Sequence, residues 1–199
     1  MADLSLDSSL VLRIKGDDLT TEDVERAMAA ELERQGYAKD TFTNAILERE
    51  KIFPTALDMG GINVAMPHCD VANVNKAAIC IGVLERPVAW YRMDDPETTC
   101  EVSLVTMLAL TEAHAHLEML QKVIALVQNQ ELIEKVVKAE SEEEIFDLVR
   151  DQLIYFEFGI LRPKGALRDR WKGNSHGYET CSDCMRQRRC DFYRGCIQG

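Results

Sequence analysis

The sequence has none of the features that would carry it into or across a membrane. No apolar run approaches the roughly 20 residues that span a bilayer. Met1–Arg13 has neither the basic start nor the apolar stretch of a secretory signal, so the expected compartment is the cytoplasm. Glycine and proline are sparse, 11 and 5 of 199 residues, which excludes collagen-like and low-complexity chains. Positive charge is also short, with 23 Lys+Arg against 34 Asp+Glu and a net charge of -11. Phosphate backbones and anionic bilayers are held by clustered Lys and Arg, so neither nucleic acid nor direct membrane insertion is expected of the acidic part. There is no H-E-x-x-H zinc helix, no phosphate-binding glycine loop and no dinucleotide fingerprint. Gly60-Gly61 alone specifies none of these, and Ser103 has no nucleophile-elbow context. An odd count of 7 cysteines without an export signal does not describe a disulfide framework. What remains is a globular chain, 46% hydrophobic and long enough to bury a core.

The charge is unevenly spread. Residues 154–199 hold nine Lys+Arg and five Asp+Glu, which leaves 14 against 29 in the first 153: a body at -15 and an appendage at +4. The expected organisation is therefore a domain over 1–153 and a basic, cysteine-containing extension over 154–199. Cys181, Cys184, Cys190 and Cys196 lie in the extension. Their spacing contains one metal-like CxxC but neither a second CxxC nor paired histidines. A zinc knuckle flanked by Arg186, Arg188 and Arg189 and a poorly ordered tail both remain open readings.

Within the body, Leu10–Ile14 reads as a strand. Thr20 and Asp23 have capping-box spacing ahead of Val24, Ala27, Met28 and Leu32, which recur at helical intervals until Gly36. A second helix is expected from about Thr41 to Ile52, with Asp40 as candidate cap and Pro54 beyond its end. Ile62–Met66, Ala77–Leu84 and Val102–Leu110 are strongly apolar and read as strands covered on both faces. From His116 the period becomes helical through Leu117, Leu120, Ile124 and Val127, followed by Leu132–Lys138. A last helix is expected after Ser141 and Glu144, which again have capping-box spacing. These segments predict an α/β fold, a mixed β-sheet flanked by helices on both faces.

Candidate chemistry gathers at a few polar residues. An apolar strand runs into Pro67 and delivers His68 at its end. Neutral imidazole there could attack phosphorus and pass the phosphoryl group onward; a histidine merely satisfied by backbone fits the same spacing. His114 and His116 stand at the start of a helix, where unpaired N–H groups favour anions, with Thr111 as candidate cap. Ordinary polar residues at a helix start are the competing reading. Arg49 could donate a forked pair of hydrogen bonds to phosphate oxygens, or simply belong to the solvated run Glu48-Arg49-Glu50-Lys51. A metal site drawn from His68, Cys69, His114 and His116 is a further alternative.

Three ordered blocks bring these residues together: Ala45-Ile46-Leu47-Glu48-Arg49-Glu50-Lys51-Ile52-Phe53-Pro54-Thr55, Val64-Ala65-Met66-Pro67-His68-Cys69, and His116-Leu117-Glu118-Met119-Leu120. Over about residues 8–153 the chain resembles the enzyme IIA domains of the fructose/mannitol class in the bacterial phosphoenolpyruvate-dependent sugar phosphotransferase system. Phe53-Pro54-Thr55 and Pro67-His68-Cys69 look most like galactitol-type members. The resemblance implies a mixed sheet flanked by helices and no cofactor. It also implies a phosphotransferase that accepts phosphate from the phosphocarrier HPr on a histidine and passes it to a cysteine of a IIB component, for uptake of a sugar or sugar alcohol. A regulatory IIA-like role with a non-transporter partner would use the same histidine. By the same resemblance His68 is the phosphorylated nucleophile, His116 steadies the phosphoryl group and Arg49 neutralises its charge. His114 has no counterpart, and Cys69 fills space.

Overall fold

A computed structural model of the chain describes residues 7–111 and 113–157, the stretches 113–120 and 151–157 by backbone only. Of the expected extension over 154–199, residues 154–157 end the last helix, and 158–199, with the four cysteines, lie outside the described residues.

The described elements are strands β1 (Val11–Ile14), β2 (Ala56–Leu57), β3 (Asn63–Ala65), β4 (Ala78–Tyr91) and β5 (Thr99–Ala109). The helices are α1 (Thr21–Arg34), α2 (Phe42–Ile52), α3 (Ala113–Gln128), α4 (Gln130–Lys138) and α5 (Glu142–Glu157). One sheet contains all five strands in the order β1-β4-β5-β3-β2. β1 runs parallel to β4 and β3 parallel to β5, whereas β4 with β5 and β2 with β3 are antiparallel. The sheet is mixed, as the apolar runs predict.

Alternation along β4 explains its two helical layers. Ala78, Cys80 and Leu84 join Met107 and Ala109 of β5 against Val24, Met28 and Leu32 of α1 and Phe42 and Ile46 of α2. Ile79, Ile81 and Val83 turn the other way, onto Val123 and Val127 of α3, Ile133 and Val136 of α4, and Ile145 and Val149 of α5. Successive strand residues face opposite sides, so a continuous apolar run is buried only when both sides are covered.

Local chemistry sets the element ends. Asp23 N donates to Thr20 Oγ1 at 3.2 Å and Thr20 N donates to Asp23 Oδ2 at 3.0 Å, completing the capping box of α1. Gly36, at φ 77°, ends the helix; its N–H reaches Glu33 O and that of Tyr37 reaches Leu32 O, a Schellman closure. Ser141 caps α5 through Glu144 N at 3.2 Å. Two expectations are corrected. Thr41, not Asp40, occupies the N-cap of α2, with helical dihedrals and no side-chain cap bond. β4 does not stop at Leu84 but continues through Glu85-Arg86-Pro87 to Tyr91. The ladder shifts register between Val83 and Val88, where a proline without an N–H is tolerated.

Candidate functional site

His68 stands where β3 fades beside the end of β5. Ala65 pairs with Val105, and three residues later His68 bridges Leu108 in the same parallel sense. Pro67 cannot donate, yet its carbonyl accepts from Leu108 N at 2.9 Å, so the segment stays docked without a regular strand. The His68 ring is half-buried, less exposed than a free strand end would leave it. Its Nδ1 lies 2.8 Å from Met66 O. A carbonyl oxygen only accepts, so Nδ1 carries the hydrogen in this contact and the ring lone pair belongs to Nε2.

The next residues fold back toward α2. Lys39 N donates to Asn73 O at 2.9 Å, Thr41 Oγ1 donates to Asn73 Oδ1 at 2.7 Å, and Lys39 Nζ donates to Ala72 O at 2.6 Å. This staples the turn Val71–Asn73 to the start of α2. Between them opens a cleft of ≈ 700 Å³ whose walls include Arg49, Phe53, Cys69 and Asp70. Arg49 thus shares a cleft with the two residues that follow His68. Its guanidinium carbon lies 5.9 Å from the centre of the Phe53 ring, and Nη1 is buried without a hydrogen-bond partner among the described residues. An unsatisfied buried donor costs free energy unless something supplies an acceptor. A phosphoryl oxygen is such an acceptor.

Adjacent helical residues point about 100° apart, by the 3.6-residue turn, and Glu50 accordingly faces inward where Arg49 faces the cleft. Glu50 Oε1 accepts from Thr55 N at 2.6 Å, Thr55 Oγ1 at 2.9 Å and Trp90 Nε1 at 2.8 Å. Burial pushes its carboxyl upward while these donors oppose the shift. This network locks the end of α2, and with it Arg49, onto β4. Sequence reasoning did not single out Glu50, because Glu-Arg-Glu-Lys has the composition of a solvated face.

Cys69 is buried. Burial, followed by the charge of Asp70, pushes its thiol up to about 11, so little thiolate exists at neutral pH and the space-filling role fits. Ile52 and Phe53 are 67% and 61% exposed at the mouth of the cleft, an apolar rim beside charged walls. His114 and His116 fall in the first turn of α3, which starts soon after the β5 strand that His68 bridges; their side chains, and residue 112 between the expected cap Thr111 and Ala113, lie outside the described residues. Among the described residues, no group of three or more His, Cys, Asp or Glu is placed to hold a metal ion. Nor is any described helix long and apolar enough to cross a membrane.

Comparison with known proteins adds sequence relationships to this geometry. The family model described as "Phosphoenolpyruvate-dependent sugar phosphotransferase system, EIIA 2" matches residues 9–152. A fructose-specific EIIABC component from Bacillus subtilis is 31% identical over 132 residues, 64% of this chain and 20% of that protein. The chain therefore spans about a fifth of such a multidomain relative. The galactitol-specific EIIA component of Escherichia coli is 26% identical over 107 residues, covering 54% of this chain and 71% of that one. Among solved structures, the complex of enzyme IIAMTL and phosphorylated enzyme IIBMTL from Escherichia coli aligns with a TM-score of 0.61 at 20% identity, over 74% of this chain and 99% of that one. That likeness is one of fold. The nitrogen regulatory protein IIA-Ntr from Neisseria meningitidis aligns with a TM-score of 0.57 at 27% identity, over 73% and 95%.

Proposed function

The chain belongs to the EIIA 2 family of the phosphoenolpyruvate-dependent sugar phosphotransferase system, and from that premise we propose that it is a phosphoryl carrier whose nucleophile is His68. The observation that carries this reading is the contact between His68 Nδ1 and Met66 O at 2.8 Å. It assigns the lone pair to Nε2 and holds the ring against rotation. In the forward step Nε2 forms a bond to phosphorus while the bond between phosphorus and the histidine of HPr breaks. The imidazole then carries positive charge, and its Nδ1–H strengthens its bond to the carbonyl. In the second step a IIB cysteine thiolate takes the phosphoryl group and His68 returns to neutral imidazole.

In-line transfer of this kind rests on positioning and charge stabilisation. Arg49, with a buried donor lacking a partner, neutralises the phosphoryl oxygens. His116, in the first turn of α3, adds a donor where the helix N-terminus already favours anions. The transported solute is a sugar or sugar alcohol of galactitol-like type, supported by the Pro67-His68-Cys69 sequence and the galactitol-specific relative.

The likeness to IIA-Ntr favours a second reading, in which the same phosphohistidine reports to a regulator. Onward transfer separates the two. Phosphorylated protein mixed with purified IIB components should donate to a galactitol-type IIB cysteine within seconds. Retention of phosphate in the presence of every IIB tested would contradict the transport role and leave the regulatory one.

A further inference from the structure

A second concavity lies against α1, α2, β4 and the connection from β4 to β5, and phosphoryl transfer makes no use of it. Its volume is ≈ 520 Å³, the size of a small-molecule site. Pro54 and Tyr91 contribute apolar wall, and four carboxyl groups, Glu22, Glu25, Glu50 and Glu97, face one ammonium, Lys51. Two of the four already have partners. Glu22 Oε1 pairs with Arg26 Nη2 at 2.5 Å on the surface, and Glu50 is engaged by Thr55 and Trp90.

Glu25 differs from both. It is 2% exposed, it lines the cavity, and its Oε1 is buried without a hydrogen-bond partner among the described residues. Native proteins satisfy the large majority of buried side-chain polar atoms. A carboxyl oxygen left over at the wall of a cavity, beside an aromatic ring and an excess of acidic groups, matches a cationic ligand. We propose that this cavity binds a small organic cation, an ammonium or guanidinium on an aliphatic stem, with Glu25 as the group that receives its charge.

The electrostatics give the binding a distinctive signature. Burial, then the charges of Glu50 and Glu22, pushes the Glu25 carboxyl up to about 9, against smaller opposing effects of Lys51 and Arg26. Without a cation beside it Glu25 is protonated at neutral pH. Binding converts the carboxylic acid to a carboxylate paired with the ligand and releases one proton to solvent. The other groups facing it are Glu22 and Arg26 from α1, Glu50 and Lys51 from α2, Tyr91 from β4, and Glu97 from the connection.

The test is an NMR titration of the full chain with n-butylguanidinium, whose charge is constant across the pH range, and with neutral n-butylurea as control. The expected result is saturable perturbation of amides around Glu25, Glu50 and Tyr91, with Kd falling about tenfold per pH unit between pH 6 and 8. Glu25→Gln, shown to be folded by circular dichroism, should weaken binding at pH 8 by at least about tenfold and flatten the pH dependence. A pH-independent Kd in the wild-type protein, equal binding of n-butylurea, unchanged affinity in Glu25→Gln, or no perturbation of these amides would each overturn the proposal.

Discussion

Arg49 and Cys69 separate chemistry from packing at the residue scale. Arg49 Nη1 has no hydrogen-bond partner among the described residues, so truncation removes little that the described fold uses. Arg49→Ala should slow phosphoryl transfer by about a hundredfold to a thousandfold, the loss expected when one charge-stabilising donor is removed. It should shift thermal unfolding by no more than a few degrees, and Arg49→Lys should recover part of the rate. Parallel loss of rate and stability would mark the residue as structural. Cys69 is the opposite case. Its buried thiol, held up at about 11, should resist iodoacetamide at pH 7.5, and Cys69→Ala should still accept phosphate. The sequence singles out His68 and Arg49 as candidates because they sit in ordered blocks with distinctive neighbours, Met66-Pro67-His68-Cys69 and Phe53-Pro54-Thr55. It left Glu25 and Glu50 hidden, since a glutamate among Arg and Lys on an amphipathic helix reads as solvated until the sheet behind it is known.

Elements that end with a strong local signal were the readable ones. The capping box before α1, the Ser141 cap before α5 and the Gly36 stop follow from side chains within a few residues. Gly36 is at φ 77° with open space around its Cα, so the cost of a side chain there is one of backbone conformation alone. Gly36→Ala should lower unfolding stability by about 1 kcal/mol, measured by urea denaturation, with phosphate acceptance unchanged. β2 and the second half of β4 were not readable. Ala56–Leu57 is a two-residue strand defined by its pairing with Val64 and Ala65 and by a bridge from Ala56 to Arg92. Glu85-Arg86-Pro87 is polar and contains a proline, and it continues a strand only because the ladder is interrupted there. Both depend on distant partners, which local periodicity cannot report. The same holds for α2, whose position over the cleft is set by Glu50 reaching Thr55 and Trp90.

The acidity of the whole molecule has its own consequence. Glu25 ordinarily titrates near 4.5 but is pushed up to about 9 in the folded protein. Between those values the folded state holds a proton that the unfolded chain has lost. Stability therefore falls as pH rises through that window, with a slope of at most about 1.4 kcal/mol per pH unit from this group. Glu50, also raised by burial, adds a slope of the same sign. Denaturation of wild-type and Glu25→Gln proteins at pH 5, 7 and 9 should show the variant losing less stability over the series. The net charge of -11 is compatible with the proposed phosphate-receiving role because the charges are segregated. Arg49 stands at the cleft lined by Cys69 and Asp70, whereas the buried carboxyls of Glu25 and Glu50 line a different cavity. The basic extension remains a separate piece of the sequence.

The most direct test of the central claim is the position of the phosphoryl group after incubation with phosphoenolpyruvate, enzyme I and HPr. Phosphorus NMR combined with peptide mapping should place one phosphate on Nε2 of His68 and none on a His68→Ala protein. Persistent labelling of His68→Ala, or attachment at Nδ1 of His68, would contradict the account.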